Sequence, residues 1–189
     1  MLFIKVNNLK NTVTKMKKIL LAVDDTKGSL GILEVLRNQV KQPEEVILIH
    51  VQRLLGRSLI GDMLGGAEMS TLREAIKDTE FQEELDQKAE KILVFYKQKL
   101  ESFGLSKIKM IVRSGNVSEE IIKVANEEQV DLMIMGFDGK NVMDRMITGS
   151  VTRHVTRKTN VPVMIAKTNE FLMKPYDVPV GLEDIYNAG

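Results

Sequence analysis

Five apolar runs, separated by stretches of helical periodicity, constrain this chain more than any other feature. Ile19-Leu20-Leu21-Ala22-Val23, Val46-Ile47-Leu48-Ile49-His50-Val51 and Leu132-Met133-Ile134-Met135 are nearly continuous in apolar residues. Strands buried on both faces of a parallel sheet read this way. Lys107 to Arg113 alternates apolar and polar and reads as another strand, and Val161 to Ala166 closes the series. Between them lie helical patterns: Leu30, Leu33, Leu36 and Val40, then Leu85, Ala89, Ile92, Tyr96, Leu100 and Phe103, which Gly104 ends as a C-terminal glycine should. Asn116, with Glu119 three residues on, caps a helix carrying Ile121, Ile122, Val124 and Ala125. Such alternation predicts an α/β fold: an open five-stranded parallel sheet with helices on both faces, Rossmann-like. Ligands of such sheets bind beyond the carboxyl ends of the strands, where the strand order reverses.

Composition removes whole classes of function. The 189 residues suit one domain with a substantial core. A net charge of +1 gives no bulk electrostatic case for nucleic acid or an anionic membrane. The absence of cysteine excludes disulfides, thiolate metal sites and cysteine nucleophiles. Two histidines, His50 and His154, are too few for a histidine-rich metal centre, and both read as structural or surface residues. No apolar run approaches the ~20 residues of a membrane span, so a cytoplasmic protein is expected.

The stretch VDLMIMGFDGKNVMDRMITGSVTRHVTRKT, residues 130–159, concentrates the functional signal. A buried strand stops at Gly136, a second glycine follows at Gly139, and Gly149-Ser150 opens a helical pattern through Val151 and Val155. Glycine lets backbone approach a ligand closely. A helix start offers unpaired N–H groups and the positive end of the dipole to an anion such as phosphate. Turn glycines and a helix cap would have the same spacing. The pattern G-x2-G-x9-G-S, with the matching arrangement from Lys17 to Lys167, resembles the ATP-binding branch of the universal stress protein family, of the adenine nucleotide α-hydrolase-like fold.

That resemblance implies a strand order of 3-2-1-4-5, which brings the loop at Asp24 beside the loop at Gly136. It also implies site roles. Asp24 would accept a hydrogen bond from adenine or ribose, with Ala22 and Met135 lining the pocket and Val51 offering backbone groups to the adenine edge. Gly136 and Gly139 would bring their loop against ribose and phosphates, and Gly149, Ser150, Val151 and Thr152 would bind phosphate oxygens, with Lys140 a nearby cation or a solvated surface lysine. The implied ligand is ATP, or ADP or AMP, accompanied by Mg²⁺. The implied role is a regulatory, stress-response switch with at most weak ATP hydrolysis, forming a homodimer by pairing the edge strand 161–166 across a two-fold axis and acting on an unidentified protein partner. The alternative is a nucleotide-free stress protein acting through protein contacts. The chain departs from the family at Phe137-Asp138, where a small hydroxyl residue is usual. At ~4 Å and an effective dielectric of ~20, a carboxylate beside phosphate costs about 4 kcal/mol. Asp138 therefore points away, shares a Mg²⁺ with the phosphates, or weakens binding.

No G-K-[ST] follows the glycines, which excludes a P-loop. Residues 1–16 read as an N-terminal extension, with Met16 expected as the start, residues 17–167 as the domain, and 168–189 as a tail with two prolines and several apolar anchors. Residues 54–79 form an insert interrupted by Gly61, Gly65 and Gly66, expected to be a mobile crossover, with Thr71 and Glu74 as a capping box that opens the long helix.

Overall fold

A computed structural model of the protein describes residues 4–5, 16–40, 43–53, 65–137 and 149–167. In chain order the elements are β1 (Ile4–Lys5), β2 (Lys18–Ala22), α1 (Lys27–Gln39), β3 (Glu45–Gln52), α2 (Gly66–Ile76), α3 (Glu80–Ser102), β4 (Ile108–Ser114), α4 (Val117–Glu127), β5 (Leu132–Phe137), α5 (Ser150–Lys158) and β6 (Val163–Lys167). They build one sheet ordered β1-β6-β5-β2-β3-β4. β2 to β6 are mutually parallel, so the five parallel strands stand in the expected order 3-2-1-4-5. β2 pairs with both β3 and β5, Ala22 lying opposite Ile49 on one side and Met135 on the other. From β2 the chain winds one way through β3 and β4, then returns to the other side for β5 and β6. A crevice therefore opens at the carboxyl ends of β2 and β5.

Alternate residues of each central strand serve opposite cores, as a two-residue period requires. Ile19, Leu21, Val46, Leu48 and Ile134 face α1 and α3, meeting Leu33, Leu36, Ile92 and Tyr96. Leu20, Ile47, Ile49, Met133 and Met135 face the other layer, meeting Ile121 and Val124 of α4 and Val155 of α5. Ile19, Leu20, Leu21 and Ile47 are wholly buried. Full burial of such side chains contributes roughly 1.5–3 kcal/mol each. At the opposite end of the sheet from the crevice, Asp131 Oδ2 accepts from the backbone N–H groups of Lys17 (2.7 Å) and Lys18 (2.9 Å), which fastens the start of β2 to the turn before β5.

Helix ends follow local chemistry. Asn116 Oδ1 accepts from the N–H groups of Ser118 and Glu119 at the start of α4. α3 ends in a Schellman arrangement: Gly104, at φ +84°, donates to Glu101 O, and Leu105 donates to Leu100 O. Its start differs from expectation. The cap is Thr79, whose hydroxyl accepts from Gln82 N, whereas Thr71 lies inside the separate helix α2 with its hydroxyl on Ala67 O. Gly65 and Gly66 sit at the start of α2, where they do not interrupt it, so the insert contains a helix; residues 54–64 lie outside the described residues.

The outermost parallel strand also differs. β6 begins at Val163, since Pro162 has no N–H to give the ladder and Val161 N donates to Thr159 Oγ1 in the preceding turn. Its edge is partly covered. β1 runs antiparallel against it, Ile4 opposite Met164 and Lys5 opposite Val163. An unpaired edge accepts any extended segment within reach, and the chain's own N-terminal segment meets that need. The tail, 168–189, lies outside the described residues.

Candidate functional site

The crevice is a two-chambered cleft. An inner chamber of about 120 Å³ is bounded by Ala22, Ile49, Val51, Ile121, Met135 and Val151, with Asp24 and Ser29 at its polar side. An outer chamber of about 460 Å³ runs from Gly149 and Ser150 to Phe81, Leu85 and Lys88 of α3. Asp24, Thr26, Val51, Arg53, Gly136, Val151 and Thr152 border both, so the chambers form one continuous site.

Nine of the eleven residues expected at the site meet here: Ala22, Asp24, Val51, Met135, Gly136, Gly149, Ser150, Val151 and Thr152. Gly139 and Lys140, like Asp138, lie outside the described residues. Asp24 is exposed at the end of the first parallel strand. Its Oδ1 accepts from Thr26 N (3.0 Å) and Thr26 Oγ1 (2.6 Å), an Asx-type turn that leads into α1. Oδ2 takes no part in that turn. The backbone N–H of Asp24 donates to the buried Ser29 Oγ at 3.0 Å.

The two glycines differ in kind. A methyl group at Gly136 would overlap the carbonyl oxygen of Gly28 and come within 2.7 Å of Ser29 Cα. Glycine is required there for β5 to lie against the first turn of α1, which is a packing reason rather than a ligand one. A methyl group at Gly149 would meet nothing within 4 Å. Gly149 caps α5 without a side-chain acceptor. The first residues of α5 thus border the outer chamber, and among the described residues no side chain caps their N–H groups, the arrangement that favours an anion.

His50 was expected to be structural or superficial. It is buried at the carboxyl end of β3 and borders the outer chamber. Nδ1 lies 3.0 Å from Val23 O. A carbonyl only accepts, so Nδ1 carries the proton and the neutral ring presents Nε2 as an acceptor. Burial holds its pKa below the usual histidine range, partly offset by the Val23 carbonyl and by the charges of Asp24 and Asp25.

The α3 wall escaped sequence reasoning. Gln52 Nε2 donates to Asp86 Oδ1 (2.7 Å), Gln82 Nε2 donates to the same oxygen (2.9 Å), and Ser114 Oγ donates to Gln52 Oε1 (2.8 Å). Lys88 Nζ lies 2.7 Å from Asp25 Oδ2. These links hold α3 over the cleft. Phe81, Leu85 and Lys88 share one helical face by their spacing, but nothing in their immediate sequence marks a site. Among the described residues no group of three or more His, Asp or Glu could hold a metal. Asp24 and Asp25 alone are too few ligands for a magnesium site among the described residues; a magnesium ion would have to be held mainly by a ligand's phosphates and water. No helix among the described residues is long and apolar enough to cross a membrane.

Comparison with known proteins agrees over the same span. A model of the universal stress protein family matches residues 15–167. A universal stress protein of Methanocaldococcus jannaschii is 34% identical over 155 residues, covering 80% of this chain and 94% of that protein. Its solved structure superposes with a TM-score of 0.63 at 31% identity, covering 83% of this chain and 99% of that one. A universal stress protein from Arabidopsis thaliana, solved with AMP bound, gives a TM-score of 0.54 at 16% identity over 85% of this chain and 97% of its own. A universal stress protein in complex with cAMP gives 0.54 at 15% over 82% and 100%.

Proposed function

Because the chain belongs to the universal stress protein family, we propose that its cleft binds an adenine nucleotide and that the protein is a nucleotide-dependent regulator in a stress response. One observation carries the reading: an inner chamber with Ala22, Ile49, Val51, Ile121, Met135 and Val151 in its walls is continuous with an outer chamber bordered by the start of α5, where the described residues place no capping side chain. Adenine belongs in the inner chamber between Val51 and Met135, with Asp24 accepting from the ribose hydroxyls. The phosphates belong at the N–H groups of Gly149 to Thr152, with the Ser150 hydroxyl as a further donor and Gly139 and Lys140 completing the loop. ATP, ADP and AMP share these features, and Mg²⁺ accompanies the longer phosphate chains. AMP and cAMP in two proteins of this fold support the ligand class. No catalytic residue is assigned, and ATP hydrolysis is at most weak, as befits a switch. The cytoplasm is the compartment this role suits.

The direct test is to denature the purified protein and chromatograph the released solutes, then to titrate the emptied protein with Mg-ATP by calorimetry. Co-purified adenine nucleotide, or saturable heat at one ligand per chain, is the expected result. No heat and no thermal shift up to millimolar ATP would overturn it in favour of the nucleotide-free protein that acts by contact.

Self-association belongs to the same proposal in altered form. A second copy that pairs with β6 must displace β1 from Val163 and Met164 or pair beyond them. Removing residues 1–15 is expected to raise the dimer fraction in sedimentation at equal concentration, because it frees the edge. An unchanged or lower dimer fraction would separate self-association from this strand.

A further inference from the structure

The outer chamber is bordered both by the start of α5 and by α3, and its α3 wall carries a cation that the glycine pattern does not predict. Lys88 stands on α3 with Phe81 and Leu85 on the same face, and the next residue of that face, Ile92, is wholly buried in the core. Its ammonium group is held 2.7 Å from Asp25 Oδ2; the lysine side chain is 47% exposed and the aspartate 15%. The aspartate is thus the fixed partner, and the lysine the one with room to move on its four-carbon stem.

Charge explains why a lysine there matters. Asp24 and Asp25 both border the chamber that would take the phosphates, and among the described lining residues Arg53 and Lys88 only balance them. A monophosphate at the N–H groups of α5 is served by the helix start alone. Each further phosphate adds negative charge to a chamber that two carboxylates already border. Lys88 is placed to offset it.

Resting on the nucleotide-binding reading above, we propose that Lys88 is a specificity-determining residue that contacts the phosphates beyond the first, so that the cleft favours adenosine di- and triphosphates over AMP. In the empty cleft Asp25 holds the ammonium group in reserve; on binding, the lysine transfers from carboxylate to phosphate. A charge-assisted contact of this kind is worth about tenfold in affinity.

The test is calorimetric titration of the full chain and its Lys88→Gln variant with adenosine, AMP, ADP and ATP, with and without Mg²⁺. Wild type is expected to bind ADP and ATP more tightly than AMP. Lys88→Gln is expected to lose about tenfold toward ADP and ATP while adenosine and AMP stay within about twofold. Asp25→Asn, which releases the lysine, is expected to keep or raise ATP affinity. Equal losses for all four ligands would make Lys88 a structural tie between α3 and the β2–α1 loop, and an unchanged ATP affinity would remove it from the site; either overturns the proposal while leaving nucleotide binding intact. A wild-type protein that binds none of the four overturns the nucleotide reading itself, and the assignment of Lys88 with it.

Discussion

The cleft has two walls of different construction. One, formed by the ends of β2 and β5 and the start of α5, is largely main chain: helix N–H groups, a glycine that packs against α1, and an aspartate tied into its own turn. The other is a row of side chains on α3, held in place by Asp86 on Gln52, 34 residues away, and by Lys88 on Asp25. A wall of backbone exists wherever the fold exists. A wall of side chains changes with one substitution, so it is the place where a family fold acquires a preference among related ligands. The two motif glycines among the described residues divide along the same line, Gly136 serving packing and Gly149 leaving space.

The sharpest attempt to break this distinction is Gly136→Val. Its side chain would overlap backbone of α1 rather than a flexible side chain. Overpacking of this sort costs about 3 kcal/mol, and for a chain of this size Tm should fall by roughly 6–12 °C. An unchanged melting curve would show that β5 and α1 are not in close register. Gly149→Asp should do the opposite. Aspartate is a good N-cap, so thermal stability should hold or rise slightly, while a carboxylate at the proposed phosphate position should weaken Mg-ATP binding about 30-fold, or roughly 2 kcal/mol. Calorimetry showing equal affinity would take the phosphates away from α5.

The smallest effect concerns His50, which joins the loop after β2 to the outer chamber. Its folded pKa lies below the unfolded value of about 6.5, so below that pH the unfolded chain binds the proton more readily. Stability is therefore complete above pH ~6.5 and is lost as pH falls through the lowered value. The urea midpoint of wild type should drop between pH 7 and 5 by more than that of His50→Asn, which keeps a donor near Val23 O. Parallel pH profiles for the two proteins would remove the histidine from that linkage.

Much of this could be read from the chain. Apolar runs flagged the sheet because a doubly covered parallel strand has no polar face to show. Asn116 and Gly104 marked helix ends through chemistry confined to a few neighbouring residues. Nine of the residues expected at the site border one cleft, since strand order carries them together. Other features were not legible. Thr71 and Glu74 have the spacing of a capping box, yet both lie inside α2 and the long helix is capped by Thr79, because a four-residue pattern cannot reveal whether it stands at a helix start or within a helix. The partly covered edge of β6 depends on two residues, Ile4 and Lys5, whose pairing has no local signature.

The sequence alone determined the layered α/β architecture, the helix ends at Asn116 and Gly104, and the glycine-and-helix character of one cleft wall, because each is written in periodicity or backbone chemistry within one short window. Tertiary structure decided that α3 faces that wall across an outer chamber, that Lys88 meets Asp25, and that Gly136 answers to α1. Those depend on which distant segments pack together, and packing is a property of the whole chain rather than of any window in it.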